Sequence, residues 1–243
     1  MRDPYLLLWL EAPLQAWGHD SKFGRRESLC FPTRSGVLGL ICCARGAGGA
    51  QAEWLAAWLG LDMQVMAYAR ADAQGAPLPH PPVLRDFQTV GSGYDDRDPW
   101  QTLLIPRKSD GGKAVGGGTR LTWRDYLQDM AYAVILQAPG PLVDEVVAAL
   151  QAPVWDVYLG RKHCVPVEFI YQGRYDSPAA AFDAGQRMAL ARQRGLALRV
   201  LQGEHEGKVM ILNDVPLQFG LQKKYRDRRV TVQQVAYAGA MPL

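Results

Sequence analysis

Residues 83–123 constrain the fold most. They are rich in Gly, Asp and basic residues, include GGKAVGGG at 111–118, and carry too few periodic apolar side chains to build a core. So long a stretch without regular patterning belongs on the outside of a domain, projecting from the body. The segments on either side must then supply the interior. At 243 residues, with 48% hydrophobic and 21% charged residues, they have the material for one large domain or for a domain and a smaller companion, and a disordered chain is excluded.

Before the projecting stretch, YLLLWLEAP (5–13) reads as a central strand, and TRSGVLGLICCAR (33–45) places Val37, Leu38, Leu40, Ile41 and Ala44 at helical spacing behind Thr33 as N-cap. AEWLAAWLG (52–60) is a second helix ending at Gly60, MQVMAYARAD (63–72) alternates like a strand, and PLPHPP (77–82) is extended. After it, TWRDYLQDMAYAVILQ (122–137) ends as a buried strand, and PLVDEVVAALQAP (141–153) is a helix between Pro141 and Pro153. WDVYLGRKHCVPVEFIYQG (155–173) is extended chain broken at Gly160. Strand, helix, strand, strand, helix, strand is the order of ferredoxin-like and RNA-recognition folds, so the expected class is α+β. Beyond Gly173, a helix over 178–194 and the strands LALRVLQG, GKVMILND and RRVTVQQVAYA read as a small β-rich appendage. The expected domains are therefore 1–173 and 174–243.

The N-terminal apolar run is too short to span a membrane, contains Glu11 and lacks a cleavage site, so a cytoplasmic protein is expected. Cys30, Cys42, Cys43 and Cys164 form no CxxC pair. Neither zinc nor a disulfide framework is expected, and Cys42 and Cys43 read as buried or half-buried thiols.

A net charge of +3 is mild, but its distribution is not. The cations fall in clusters: Lys22, Arg25, Arg26 and Arg34; Arg107, Lys108, Lys113, Arg120 and Arg124; Arg161, Lys162 and His163; and Lys223, Lys224, Arg226, Arg228 and Arg229. Any one of them could be solvated surface charge. Together, beside glycines and aromatics, they point to a polyanion. In FPTRSGVLGL the start of a helix coincides with Thr33, Arg34, Ser35 and two glycines. This suits an anion, because a helix N-terminus presents unpaired N–H groups and the positive end of its dipole. Alternatively, Gly36 and Gly39 merely bring the helix close to a sheet. Gln15 and Trp17 of QAWG present the same choice between a base platform and an aromatic under the edge of the core.

LEAPLQAWG, FPTRSGVLGLI, LRDFQTV, TWRDYLQDMAYAVIL and VYLGRKHCVP, in this order over roughly the first 170 residues, resemble the CasD family of subunits of the type I-E CRISPR Cascade complex. The resemblance implies a protein that grips the 5′ handle of CRISPR RNA and caps one end of the backbone filament, with CasC and CasA as neighbours. It makes residues about 84–121 a projecting thumb. It puts the handle contacts on Arg124, Tyr158, Arg161 and Lys162. The wider set of candidate RNA-binding residues adds Gln15, Trp17, Arg25, Arg26, Thr33, Arg34, Ser35, Arg107, Lys108, Arg120, Tyr126 and His163. Chemically, arginine can fork onto a phosphate, and tyrosine can stack on a base or bond a 2′-hydroxyl. LLLWLEAP lacks the aromatic platform of an ordinary RNA-recognition motif, so capture of a bent backbone by loops is the expected mode. The rival reading is a metal-free endoribonuclease with His163 as acid or base. Beside basic residues, His163 reads first as a phosphate donor, and the acidic YDD at 94–96 reads as a solvated loop. A non-enzyme without metal or cofactor is expected.

Overall fold

Every side chain from Leu6 to Leu10 is fully buried. A strand does this only in the middle of a sheet covered on both faces, and that is where β1 (Tyr5–Glu11) lies. The computed structural model describes residues 3–19, 21, 24–79, 81–90, 97–100, 108, 110–112 and 120–235, without the side chains of Val90 and Arg120. After β1 come four short strands, β2 (Leu14–Gln15), β3 (Trp17–Gly18), β4 (Arg25–Arg26) and β5 (Ser28–Leu29). Helices α1 (Arg34–Ala44) and α2 (Ala52–Ala56) precede β6 (Met63–Arg70), β7 (Leu84–Val90), β8 (Arg120–Gln128) and β9 (Ala131–Gln137). A 3-10 turn, Gly140–Leu142, leads into α3 (Val143–Gln151), then β10 (Tyr171–Tyr175), α4 (Pro178–Ala191), β11 (Arg194–Gln202), β12 (Lys208–Gln218) and β13 (Lys224–Gln234).

The main sheet has seven antiparallel strands in the order β10-β1-β9-β6-β11-β13-β12. Because strand side chains alternate, β1 serves two cores. Leu6, Leu8 and Leu10 join Val37, Leu38 and Ile41 of α1 and Val143, Val146 and Leu150 of α3 on one face. Leu7 and Trp9 join Ala181, Ala184 and Ala189 of α4 on the other. The alanines of α4 let it lie close to the strands. A Cβ on Gly185 would stand 3.2 Å from Ala133 Cβ and 3.6 Å from Leu7 Cδ1, so a large side chain there would lift the helix off. Ser177 caps α4 by accepting from Ala180 N–H, with Pro178 in the first turn.

The tail is therefore no appendage, and no domain boundary falls at Gly173. β11 pairs with β6 and continues the sheet, while α4 covers β1 and β9. The buried Arg194 fastens the two halves: its guanidinium reaches Glu11 at 2.5 Å and Asp129 at 2.9 Å. These pairings join residues far apart in sequence, so composition and spacing did not reveal them. Nor is the second sheet face open to a ligand, since α4 occupies it.

The stretch that begins at residue 83 opens and closes as strand. β7 and β8 form an antiparallel ribbon in which Leu84 pairs with Tyr126, and Val90 with Arg120. β8 is held further by β2 and, in parallel, by β4. Arg124 thus lies on a strand. Residues 91–96, 101–107, 109 and 113–119 lie outside the described part, among them YDD at 94–96 and Arg107. Among the described residues, no helix is long and apolar enough to cross a membrane.

Candidate nucleic-acid interface

Three separate segments bring their arginines together at the base of the ribbon. β4 pairs with β8 so that Arg25 lies beside Trp123 and Arg26 beside Arg124. Gly24 permits this approach, because a Cβ there would stand 2.8 Å from Leu121 O, and Trp123 N–H donates to Gly24 O at 2.9 Å. The third segment is the 158–164 loop. Ala16 N–H donates to Leu159 O at 3.1 Å, and Leu159 N–H to Cys164 O at 2.8 Å. At Gly160 φ is +94°, and a Cβ would fall 1.6 Å from Ala16 O. This glycine serves the seating of the loop on Ala16.

So seated, the loop lays Arg161 over the ring of Tyr126, 4.2 Å from its centroid, and its Nη2 donates to Arg26 O at 3.0 Å. The His163 ring meets the same tyrosine at 5.0 Å. Arg124 shares a strand face with Tyr126 and stands opposite Asp86. Among the described residues, no hydrogen bond or ion pair engages the side chains of Arg25, Arg26, Arg124, Lys162 or His163. Unpaired, solvent-accessible guanidinium groups carry the capacity to fork onto phosphate oxygens.

A cleft of about 760 Å³ separates this cluster from the C-terminal hairpin. Arg26 and Arg161 line one side, Asn213, Lys223 and Tyr225 the other, and Ser35 lies between them; Glu27, Asp214 and Asp227 also line it, Asp214 held by Arg228 and Asp227 accepting from Asn213 Nδ2 at 2.5 Å. Asn213, Lys223 and Tyr225 were not among the expected contacts; the run KKYRDRR at 223–229 signals Lys223 and Tyr225, and nothing local marks Asn213. The hairpin's position beside α1 carried no sequence signal.

Several expected contacts need correction, because the side chains are buried and used by the fold. Gln15 donates to Leu10 O and to Met130 O at 3.3 and 2.7 Å, and accepts from Trp17 Nε1 at 3.2 Å. Trp17, 2% exposed, packs on α1 where Gly36 makes room, a Cβ there being 3.0 Å from Trp17 Cε3. Tyr126 is buried and seats Arg161 instead of offering its ring to a base. Thr33 caps α1, accepting from Gly36 N–H at 3.1 Å. Arg34, also 2% exposed, donates to Leu61 O at 2.7 Å, Trp58 O at 2.5 Å and Gln202 Oε1 at 3.2 Å. Burial first, then the nearby Arg228, lowers its pKa to about 10.

The anion at the start of α1 is internal. Asp214 accepts Arg34 N–H at 2.7 Å, and Arg228 Nε and Nη2 at 2.7 and 2.9 Å. A carboxylate 180 residues away in sequence thus fills the place that a phosphate would take.

The remaining candidates lie as follows. Ser35 and Tyr158 are half-buried beside the start of α1, and Lys162 lines a separate groove with Trp155 and Phe169. Lys108 is exposed in a tight turn, its N–H donating to Gly112 O at 2.7 Å. Arg120 lies opposite Val90, and Arg107 is outside the described residues. Among the described residues, no three of His, Cys, Asp and Glu gather as metal donors.

Comparison with known proteins agrees with the motif resemblance. The family described as CRISPR-associated protein (Cas_Cas5) matches residues 5–231. Over 163 residues, 66% of this chain and 66% of the relative, the sequence is 31% identical to the CRISPR system Cascade subunit CasD of Escherichia coli (strain K12). A solved CRISPR RNA-guided surveillance complex contains a chain that matches with a TM-score of 0.65 and 26% identity, over 95% of this chain and 89% of that one. A crystal structure of a Cas protein shares the fold at a TM-score of 0.59 and 23% identity, covering 95% and 94%. Because the family match runs from β1 into β13, the whole body, tail included, belongs to the CRISPR-associated Cas5 family.

Proposed function

We propose that this chain is a non-catalytic subunit of a Cascade-type surveillance complex in the cytoplasm, that it holds the 5′ handle of the crRNA, and that it caps the backbone filament beside CasC and CasA. The observation that carries the reading is the set of arginines from β4, β8 and the 158–164 loop, which gather at the base of the ribbon with no ion pair among the described residues, Arg26 and Arg161 also lining the adjoining cleft. A fold gains nothing by gathering like charges at its surface; a polyanion supplies the missing partner. The succession β1-α1-β6-β9-α3-β10, with the strand order β10-β1-β9-β6, supports a ferredoxin-like core. Its second face is closed by α4, so the RNA is held at the end of the sheet by loops and the ribbon.

His163 packs on Tyr126 beside Arg161, and no described acid orients its ring. That setting supports a binding role. Incubating full-length protein with intact repeat RNA, without metal and at several pH values, tests this point. The expected outcome is binding without product. A cut at one position that His163→Ala abolishes would make the chain a processing ribonuclease. Replacement of residues 88–119 by a Gly-Ser linker tests the thumb: the body should fold, and assembly with the backbone subunits should fail. Normal assembly would remove the thumb from the account.

A further inference from the structure

A smaller slot of about 310 Å³ opens off the cleft beside Arg26 and Arg161, at the lower end of the size range of small-ligand sites. The two cavities share Ala16, Gly18, Ser35, Gly160 and Tyr225. The slot has aromatic walls from separate elements: Tyr158 from the loop, Phe219 just after β12 and Tyr225 from β13. The phenol groups of Tyr158 and Tyr225 bond to no described residue. Leu40 adds an apolar surface, and the Ser35 hydroxyl lies at one side.

The floor is a face of α1, and Gly39 is its telling residue. Glycine weakens a helix interior, so its presence there calls for a reason. Gly36 has one in Trp17. Gly39 has none within the fold: its φ is not in the left-handed region, and a Cβ would meet only Phe219 Cζ, at an ordinary 3.9 Å. The glycine keeps the slot open.

We propose that this slot receives one unstacked nucleobase of the bound RNA, an inference that rests on the RNA-binding reading above. A strand whose phosphates lie against Arg26, Arg161 and Lys223 passes the mouth of the slot, because the cavities share one wall. A base turned out of such a strand loses its stacked neighbours and regains a stacking surface on the aromatic walls.

The test uses full-length protein and handle RNAs that carry 2-aminopurine at one position at a time. A single position should show a fluorescence change on binding that its neighbours lack. Gly39→Leu, which fills the slot from a helix that accommodates leucine, should abolish that change and weaken binding on the order of tenfold while the salt slope is kept. Tyr158→Leu should do the same. Equal responses at all positions, or a position-specific response that survives both substitutions, would overturn the proposal while leaving RNA binding intact. Absence of any binding by the wild type would overturn the RNA reading itself, and the slot assignment with it.

Discussion

Two basic regions of this molecule, both flagged by the same residue types, have opposite fates. At the start of α1, Arg34 and Arg228 are drawn inside and consumed by Asp214 and by the carbonyls of Trp58 and Leu61. At the base of the ribbon, Arg25 and Arg26 are exposed and Arg124 half-buried opposite Asp86, and among the described residues no ion pair or side-chain hydrogen bond engages the three. The first region holds the body together by tying the β12–β13 hairpin to α1. The second leaves its charge for something else. A positive cluster becomes evidence for a polyanion only once its internal partners have been accounted for, and here a single aspartate separates the two cases.

The largest effect that can break this contrast is removal of that aspartate. Asp214→Ala strands the buried Arg228 guanidinium and uncovers the N-terminus of α1, and it should cost about 3–5 kcal/mol in urea unfolding. A loss under about 1 kcal/mol would show that the pair does not organise the region. Next comes Gly160→Ala. Its strained φ and the collision with Ala16 O should cost about 1–3 kcal/mol and displace Arg161, so stability and RNA affinity fall together. Arg161→Ala removes its stacking on Tyr126 and its bond to Arg26 O, so it should cost about 1 kcal/mol of stability and lower affinity without the larger loss expected of Gly160→Ala. Thr33→Ala removes only a helix cap, worth about 1 kcal/mol, and should leave the salt dependence of RNA binding unchanged.

The smallest effect concerns acid. Burial alone would raise the Asp129 carboxyl, but hydrogen bonds from Arg70 and Arg194, with their charges, outweigh it and hold the pKa below the usual 3.8. A depressed pKa in the folded state means that the contribution is full above the unfolded value, about 3.9, and fades as the pH falls through the folded one. Asp129→Asn should therefore flatten the acid limb of the stability curve below about pH 4 and leave its slope near neutrality unchanged. An acid limb identical to that of the wild type would remove this turn from the electrostatics of the fold.

What the residues disclosed in advance follows from the range of the interactions involved. The Thr33 cap, the helical face of Val37 to Ala44, the Pro178 start of α4 and the full burial of β1 are local or periodic, and they were legible. The joining of β11 to β6, the reach of Arg194 to Glu11 and the filling of the α1 N-terminus by Asp214 are long-range pairings, and nothing local marks them. The site divided along the same line. The motifs named Arg124 and Arg161, and the fold brings both to the base of the ribbon. Trp17 and Tyr126 were not recognisable as buried supports, because an aromatic under a core edge and one facing a base have the same composition. Lys223 was visible as charge but had no address until β13 placed it beside the cleft.

The central claim is tested most directly by the salt dependence of handle-RNA binding in the full-length protein, comparing wild type with a variant in which Arg25, Arg26, Arg124 and Arg161 are all alanine. If these guanidinium groups hold phosphates, the variant should stay folded, bind more weakly, and lose about 0.7 from the slope of log K against log salt for every contact removed. A folded variant with the affinity and slope of the wild type would contradict the account and place the RNA elsewhere on the molecule.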